Sequence, residues 1–452
     1  MLSHPKVAGI LMLSLVLVMS AYGQTDSYQP LRLPVPALKS DFQQLRDTLQ
    51  KIHPSLYRFK SKTEIDHIFD SCYSALRDSM PVTEFYTLTS YVMAAIGDGH
   101  ANCRLPREVV ADYMGAMKTF PALLLFIHNR AFIFCCKQKD SLAGTELLSI
   151  NGRSMDGITQ RLFQYITTDG NIQSRKNWEM PEFFHLLYTI VYGRENSFEI
   201  TYQTKEGAIR QATLTPDYLK NCICTGPFPR PDKYLQLSYT KDNVAVLTIK
   251  TFFDDFLKPT GENFPRFLDS AFNDIKARKV KRLIIDGRRN QGGYDQNGRL
   301  LYAYLTKKPF AYYASRERIK GPIPEGQDHE LSLQLPKENN YTGKVYFLMD
   351  GRSFSGTAEF AAIAKSNRRG LFIGEETGGT YCGNTSGSEA MVTLINSRIS
   401  CRIPLIKYTM AVKKTSHPDR GVIPDYPVYP TIGDIIGHQD SQLDFAIKLA
   451  GK

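Results

Sequence analysis

The stretch that decides the fold is Val345-Tyr346-Phe347-Leu348-Met349-Asp350-Gly351-Arg352-Ser353-Phe354-Ser355-Gly356-Thr357-Ala358-Glu359-Phe360-Ala361-Ala362-Ile363-Ala364. Its first five residues are apolar and rich in strand formers. Asp350 to Gly356 is small, polar and glycine-bearing. Beyond it, Phe360, Ile363 and Ala364 recur at helical spacing. Strand, tight turn and helix in that order hold a serine hydroxyl out of the fold. They also aim backbone N–H groups at whatever the hydroxyl attacks. Ser355 therefore reads as a catalytic nucleophile, with Ser353 as the neighbouring alternative. A serine at a helix start also serves simply as a cap.

Working outward, the flanking sequence alternates strands with helices. Val244–Ile249 reads as a strand, 263–277 as a helix, and 281–285 as a strand ending on Asp286. Helix 296–305, strand 345–349, helix 357–365 and strand 370–373 follow. This alternation predicts an α/β core with a largely parallel sheet. Sites in such sheets form at the carboxyl ends of the strands. Asp286, Ser355 and Glu375 all lie just past strand ends and can converge on one edge.

Two further stretches carry candidate chemistry. Asp286-Gly287-Arg288-Arg289-Asn290-Gln291-Gly292-Gly293 runs from a strand into a double glycine. The N–H groups of Gly292 and Gly293 could stabilise an oxyanion, a task for preorganised backbone donors. From Gly374 to Gly387, five of fourteen residues are glycine, which marks a loop passing close to other backbone or to a substrate. A phosphate cradle would need a Lys and a following helix, and neither is present.

Upstream, residues 36–97 show helical periodicity through Leu45, Leu49, Ile52 and Leu56, then Ile65, Phe69, Cys72 and Leu76, then Phe85, Leu88, Val92 and Ala95. The last of these helices, opened by Pro81, ends in Gly97-Asp98-Gly99-His100, which presents His100 at a sharp turn. From Pro121 the pattern changes to strands at 122–127, 131–136 and 146–150, the last followed by the turn Asn151-Gly152. A helix at 158–166 and strands at 197–203 and 208–214 complete a β-rich unit. Pro227, Pro229 and Pro231 mark a linker. The resulting division is 1–23, 24–117 (helical), 118–233 (β-rich with linker) and 234–452 (α/β).

Apolar residues make up 42% of the 452, aromatics 11% and charged residues 22%, enough for packed cores and against large-scale disorder. The formal charge of +11 is spread without a basic stripe or a nucleic-acid motif, so nucleic-acid binding is not expected. Residues 1–23 read as a secretory signal: Lys6, an apolar run from Gly9 to Ser20, then Ala21-Tyr22-Gly23 before Gln24. No later stretch is long and apolar enough to span a membrane. A periplasmic or extracellular location is expected, with no stable membrane insertion after cleavage. The eight cysteines are irregularly spaced, form no zinc motif, and leave any disulfide pairing open.

The ordered set Asp-Gly-His at 98–100, Asp-x-Arg-x-Asn-x-Gly-Gly from 286, Ser-Phe-Ser-x-x-x-Glu from 353 and Gly-Glu-Glu-Thr-Gly-Gly from 374 resembles the tail-specific, or C-terminal processing, serine peptidases (peptidase family S41). The resemblance extends to tricorn-like and interphotoreceptor-retinoid-binding-protein-like members. Leu147-Leu148-Ser149-Ile150-Asn151-Gly152 is similar to part of the family's PDZ-like domain, and Gly421-Val422-Ile423-Pro424-Asp425 to the segment closing its catalytic domain. The resemblance implies an α/β fold with a crotonase-like catalytic core behind a helical region and a PDZ-like β-rich domain. It implies a serine-type peptidase acting on unstructured or C-terminal peptide segments, without metal or cofactor.

One departure bears on mechanism. Processing peptidases of this family pair Ser with a Lys in the glycine-rich loop, but position 380 is Thr and no Lys lies between Lys365 and Lys407. Lys365, at ~1.5 Å per helical residue, lies roughly 15 Å from Ser355. By resemblance to tricorn-like members His100 takes the role of base, oriented by Asp419, or alternatively by Glu375 or Glu376. Gly356, Gly292 and Gly293 supply the oxyanion donors. Two other readings are a non-catalytic relative that binds small apolar ligands and a crotonase-type acyl-CoA hydratase. Oligomeric state is not legible.

Overall fold

The computed structural model describes residues 31–222 and 224–451. The secretory signal read at 1–23 lies outside the described residues. The chain folds as a mixed α/β protein with two large hydrophobic cores.

The first core is built by the helices Val35–Ile52, Lys62–Ser74 and Val82–Ile96 together with an antiparallel sheet. In that sheet the strands run in the order Ile209–Leu214, Phe198–Gln203, Glu146–Ile150, Arg130–Cys135, Leu123–Ile127. Asn151 and Gly152, at φ 48° and 75°, form the tight turn into Arg153–Ser154. Helices Met155–Phe163 and Gln173–Tyr192 also pack here. Sequence periodicity did not reveal the second of them. It contains Pro181, and it buries Arg175, Asn177 and His185 among its apolar residues, so no clean apolar stripe shows. A disulfide joins Cys135, at the end of its strand, to Cys224.

The second core surrounds a six-stranded sheet in the order Leu235–Tyr239, Val244–Ile249, Arg282–Asp286, Lys344–Met349, Leu371–Gly374, Tyr426–Pro427. The first pairing is antiparallel and all the others are parallel. Alternate residues face opposite layers: Leu283, Ile285, Val345 and Phe347 enter the main core, while Ile284, Tyr346 and Leu348 meet Ala446 and Ala450 of the helix Ser441–Gly451. Burial on both faces explains why these strands read as unbroken apolar runs.

A third sheet connects the two cores. Its long strand Ser400–Met410 pairs with Thr385–Thr393 on one side, and with Asn102–Arg104 and then Tyr313–Arg318 on the other. Cys401 and Ile403 lie in the first core, whereas Ile406, Tyr408 and Met410 lie in the second. Asn102–Arg104 begins two residues after His100, so this sheet fixes the His100 turn relative to the parallel strands.

Candidate active site

Ser355 sits between the strand Lys344–Met349 and the helix Gly356–Ser366. Its backbone is at φ 52°, ψ −129°, a conformation a residue with a Cβ rarely adopts, and its side chain makes no capping bond. The residue is partly exposed. Ser353, two residues earlier, is 0% exposed; its Oγ donates to Gly287 O at 2.9 Å and accepts from Asp350 N at 3.0 Å. One hydroxyl is structural and the other is presented.

The turn is held from below by Asn290 and Asp350. Buried Asn290 accepts Phe354 N–H at its carbonyl (3.2 Å), donates from Nδ2 to Ile249 O (3.1 Å) and accepts Gly292 N–H at Oδ1 (2.9 Å). The Asp350 carboxylate accepts the N–H groups of Arg289 and Arg352 at 2.9 to 3.0 Å. Asp286 is not free for chemistry: it is ion-paired to Lys250 (2.8 Å) and Arg288 (2.9 Å). Burial raises its pKa, but these two cations outweigh burial and hold it far below the carboxylate range.

Three glycines from three distant segments close on Phe354 and Ser355. A Cβ on Gly292 would lie 2.8 Å from Ser355 Cβ and from Gly356 N. One on Gly379 would lie 3.4 Å from Ser355 N, and one on Gly99 would lie 2.9 Å from Phe354 Cζ. A Cβ is excluded at Gly292 by these atoms and at Gly379 by Ala358 Cβ, 2.8 Å away, and at Gly99 it would press on the Phe354 ring. Gly292 N–H is already committed to Asn290. Among the described residues neither Gly293 N–H nor Gly356 N–H has a hydrogen-bond partner. Those two are the available oxyanion donors, Gly356 at the first position of its helix.

His100 reaches the same place from the other core. Gly97, left-handed at φ 76°, ends the helix Val82–Ile96. The His100 ring stacks on Phe354 with centroids 4.5 Å apart, and its Nδ1 is buried without a partner. Burial, aided by Arg402 and Arg175 and opposed by Asp98, lowers its pKa to about 3. The imidazole is thus neutral at neutral pH, as a general base must be.

Sequence reasoning missed the carboxylates beside it. Asp98 accepts His100 N–H at 2.8 Å through Oδ1, while its Oδ2 lies 3.1 Å from His53 Nε2. His53 Nδ1 accepts Ser55 N–H at 3.1 Å, so Nε2 carries the proton that faces Asp98. Burial pushes Asp98 up, but His53 and His100 together hold it below its usual value. Asp169 accepts Gly99 N–H at 2.8 Å through Oδ1, and its Oδ2 is buried without a partner. Burial and the neighbouring Asp98 raise its pKa to about 7. Asp98, His100 and Asp169 offer ligand atoms all within 4.8 Å of one another, a donor set able to take a small divalent cation. The Asp98-Gly99-His100 triplet signalled one of these carboxylates; Asp169, in an unremarked loop, carried no motif.

The acids singled out from sequence are engaged elsewhere. Asp419 accepts Asn171 Nδ2 at 2.8 Å, and its carbonyl accepts Asn171 N–H at 2.9 Å. The adjoining Gly170 N–H donates to Gly97 O at 2.8 Å, so Asp419 buttresses the His100 turn from one segment away. Glu376 grips Arg420 in a bidentate pair at 2.8 and 2.7 Å. Glu375 accepts Trp178 Nε1–H at 3.0 Å; burial and Asp350 push its pKa up to about 8. Lysine is also accounted for: Lys365 pairs with Asp425 at 2.6 Å.

Residues 243–428 match the family described as Peptidase family S41. Among solved structures, mature CPAF aligns at TM-score 0.62 and 14% identity, covering 92% of this chain and 97% of that one. Mature CPAF complexed with lactacystin aligns at 0.61 and 14%, covering 92% and 98%. These likenesses are of fold. No curated protein sequence matches.

Proposed function

Because the chain belongs to peptidase family S41 and is a serine-type peptidase, we propose that it hydrolyses peptide bonds in unstructured or C-terminal segments, with Ser355 as nucleophile and His100 as base. The observation that carries this reading is the convergence of Gly99, Gly292 and Gly379 on Phe354–Ser355, with His100 stacked on Phe354.

Ser355 Oγ attacks the peptide carbonyl as the neutral His100 accepts its proton. Gly293 and Gly356 N–H groups take the charge that develops on the carbonyl oxygen. The proton then passes from His100 to the departing amine, and water cleaves the acyl-enzyme by the reverse sequence. A proton on buried His100 needs a nearby anion. Asp169, with a free Oδ2, is the proposed partner, and Asp419 is a positioning residue for the turn. No step runs through a cation. The reading extends to the architecture: a PDZ-like unit formed by the antiparallel sheet and a crotonase-like core formed by the parallel one. It extends also to export into the periplasm or beyond, which the Cys135–Cys224 disulfide supports.

The test is cleavage of a panel of unstructured peptides, followed by mass spectrometry. Wild type is expected to cut. Ser355→Ala and His100→Ala are each expected to lose at least ~100-fold, and the double variant little more than either. Wild-type turnover in Ser355→Ala would overturn the assignment, and an inert wild type would overturn the peptidase reading.

A further inference from the structure

Cys103 and Cys401 face each other across two antiparallel strands, in direct register between the pairs Ser400–Arg104 and Arg402–Asn102. Their sulfurs are 2.9 Å apart and both residues are buried, at 6% and 0% exposure. Directly opposed residues in antiparallel strands have Cα atoms about 4.5 to 5.5 Å apart. That spacing lies inside the ~4.4 to 6.8 Å range a disulfide spans. Closing the sulfurs to a bond of about 2.05 Å asks for side-chain rotation only. Among the described residues no other pair of free thiols is hydrogen-bonded.

We propose that Cys103 and Cys401 form a second disulfide, one that clips the strand behind His100 to the strand shared by both cores. The inference goes beyond the peptidase reading and does not depend on it. The oxidant is a small-molecule disulfide such as oxidised glutathione. One protein thiolate attacks it, releasing one small thiol and leaving a mixed disulfide. The second protein thiolate displaces the other small thiol, so two protein thiols are oxidised as one disulfide is reduced to two thiols. Burial against Leu394, Ile399 and Ile403 places the exchange during folding, before the strands close. It then shields the finished bond from reductant. The bond joins residues 298 positions apart, a long closed loop of the kind that constrains the unfolded chain most.

The full chain, reduced and unfolded, is refolded in a glutathione redox buffer, alkylated in denaturant and digested without reduction. The expected result is a peptide cross-linked through Cys103 and Cys401 beside the Cys135–Cys224 peptide. Thiol titration in denaturant should read four free thiols of the eight cysteines, where one bond alone would leave six. In Cys103→Ser, Cys401 should be fully alkylated. Mapping of protein oxidised during expression and never unfolded gives the same readout should refolding fail. In either sample, a formed Cys135–Cys224 bond with Cys103 and Cys401 both alkylated overturns the proposal.

Discussion

Ser355 is strained where Ser353 is not, and this separates the two hydroxyls experimentally. Positive φ with strongly negative ψ costs a residue with a Cβ about 1 to 3 kcal/mol, which glycine avoids. Ser355→Gly should therefore melt above Ser355→Ala, and both should be inactive; an alanine variant as stable as the glycine one would contradict the strained turn. Ser353→Ala removes a buried hydroxyl that bridges Gly287 O and Asp350 N, which should cost about 1 to 3 kcal/mol in denaturant unfolding.

Asp169 provides a second residue-level test. Its pKa is raised to about 7 from an ordinary carboxylate value, so the folded state holds a proton that the unfolded state releases. Its contribution to stability is full below about pH 4 and is lost as pH rises through about 7. Asp169→Asn should thus remove a loss of stability between about pH 4 and 7 that wild type shows. It should also remove an ascending limb near pH 7 from kcat/KM, because only the ionised carboxylate stabilises protonated His100. An unperturbed imidazole would put such a limb near pH ~6.5; burial of His100 transfers it to the carboxylate. An unchanged limb in Asp169→Asn, with its loss in Asp419→Asn, would return the acid role to Asp419.

At the scale of elements, the site depends on loops that tolerate no side chain. Gly292 is at φ 89°, and its Cβ would sit 2.8 Å from Ser355 Cβ, Gly356 N and Phe354 O. Gly292→Ala should abolish peptide cleavage and lower the melting temperature, whereas Gly207→Ala, also at positive φ but meeting only Gln203 Nε2 at 4.0 Å, should leave cleavage intact. Equal activity in the two variants would remove the close approach from the mechanism. Much of this was legible in the sequence. Parallel strands buried on both faces leave apolar runs such as Leu283-Ile284-Ile285 and Val345-Tyr346-Phe347, and their polar ends marked the site edge. The helix Gln173–Tyr192 was not legible, because Pro181 lies inside it and its buried face includes Arg175, whose guanidinium lies 3.6 Å from the Phe354 ring centroid. With it went Asp169, which has no local signal and becomes significant only when Gly99 folds onto it. The long strands Thr385–Thr393 and Ser400–Met410 also escaped: the first is exposed or half-buried over most of its length, and the second gives one half to each of the two cores.

Across the whole molecule, the proposed base and the proposed nucleophile belong to different cores, and one strand joins them. His100 follows the helical layer of the first core, Ser355 the parallel sheet of the second, and Ser400–Met410 has side chains in both. Residues 234–452 expressed alone would leave Leu394, Ile399, Cys401 and Ile403 uncovered, so this fragment should melt without a cooperative transition. A sharp two-state melt would show that the cores are independent. The export reading is checked by intact mass from an exporting host, which should begin at Gln24 rather than Met1.

The most direct measurement is reaction of the full chain with a serine-directed phosphonate, followed by peptide mapping. Wild type should carry the label on Ser355 alone, Ser353 should stay unmodified, and His100→Ala should label far more slowly at the same site. Label on any other residue, or none on a folded wild-type protein, would contradict the assignment of Ser355 as a nucleophile activated by His100.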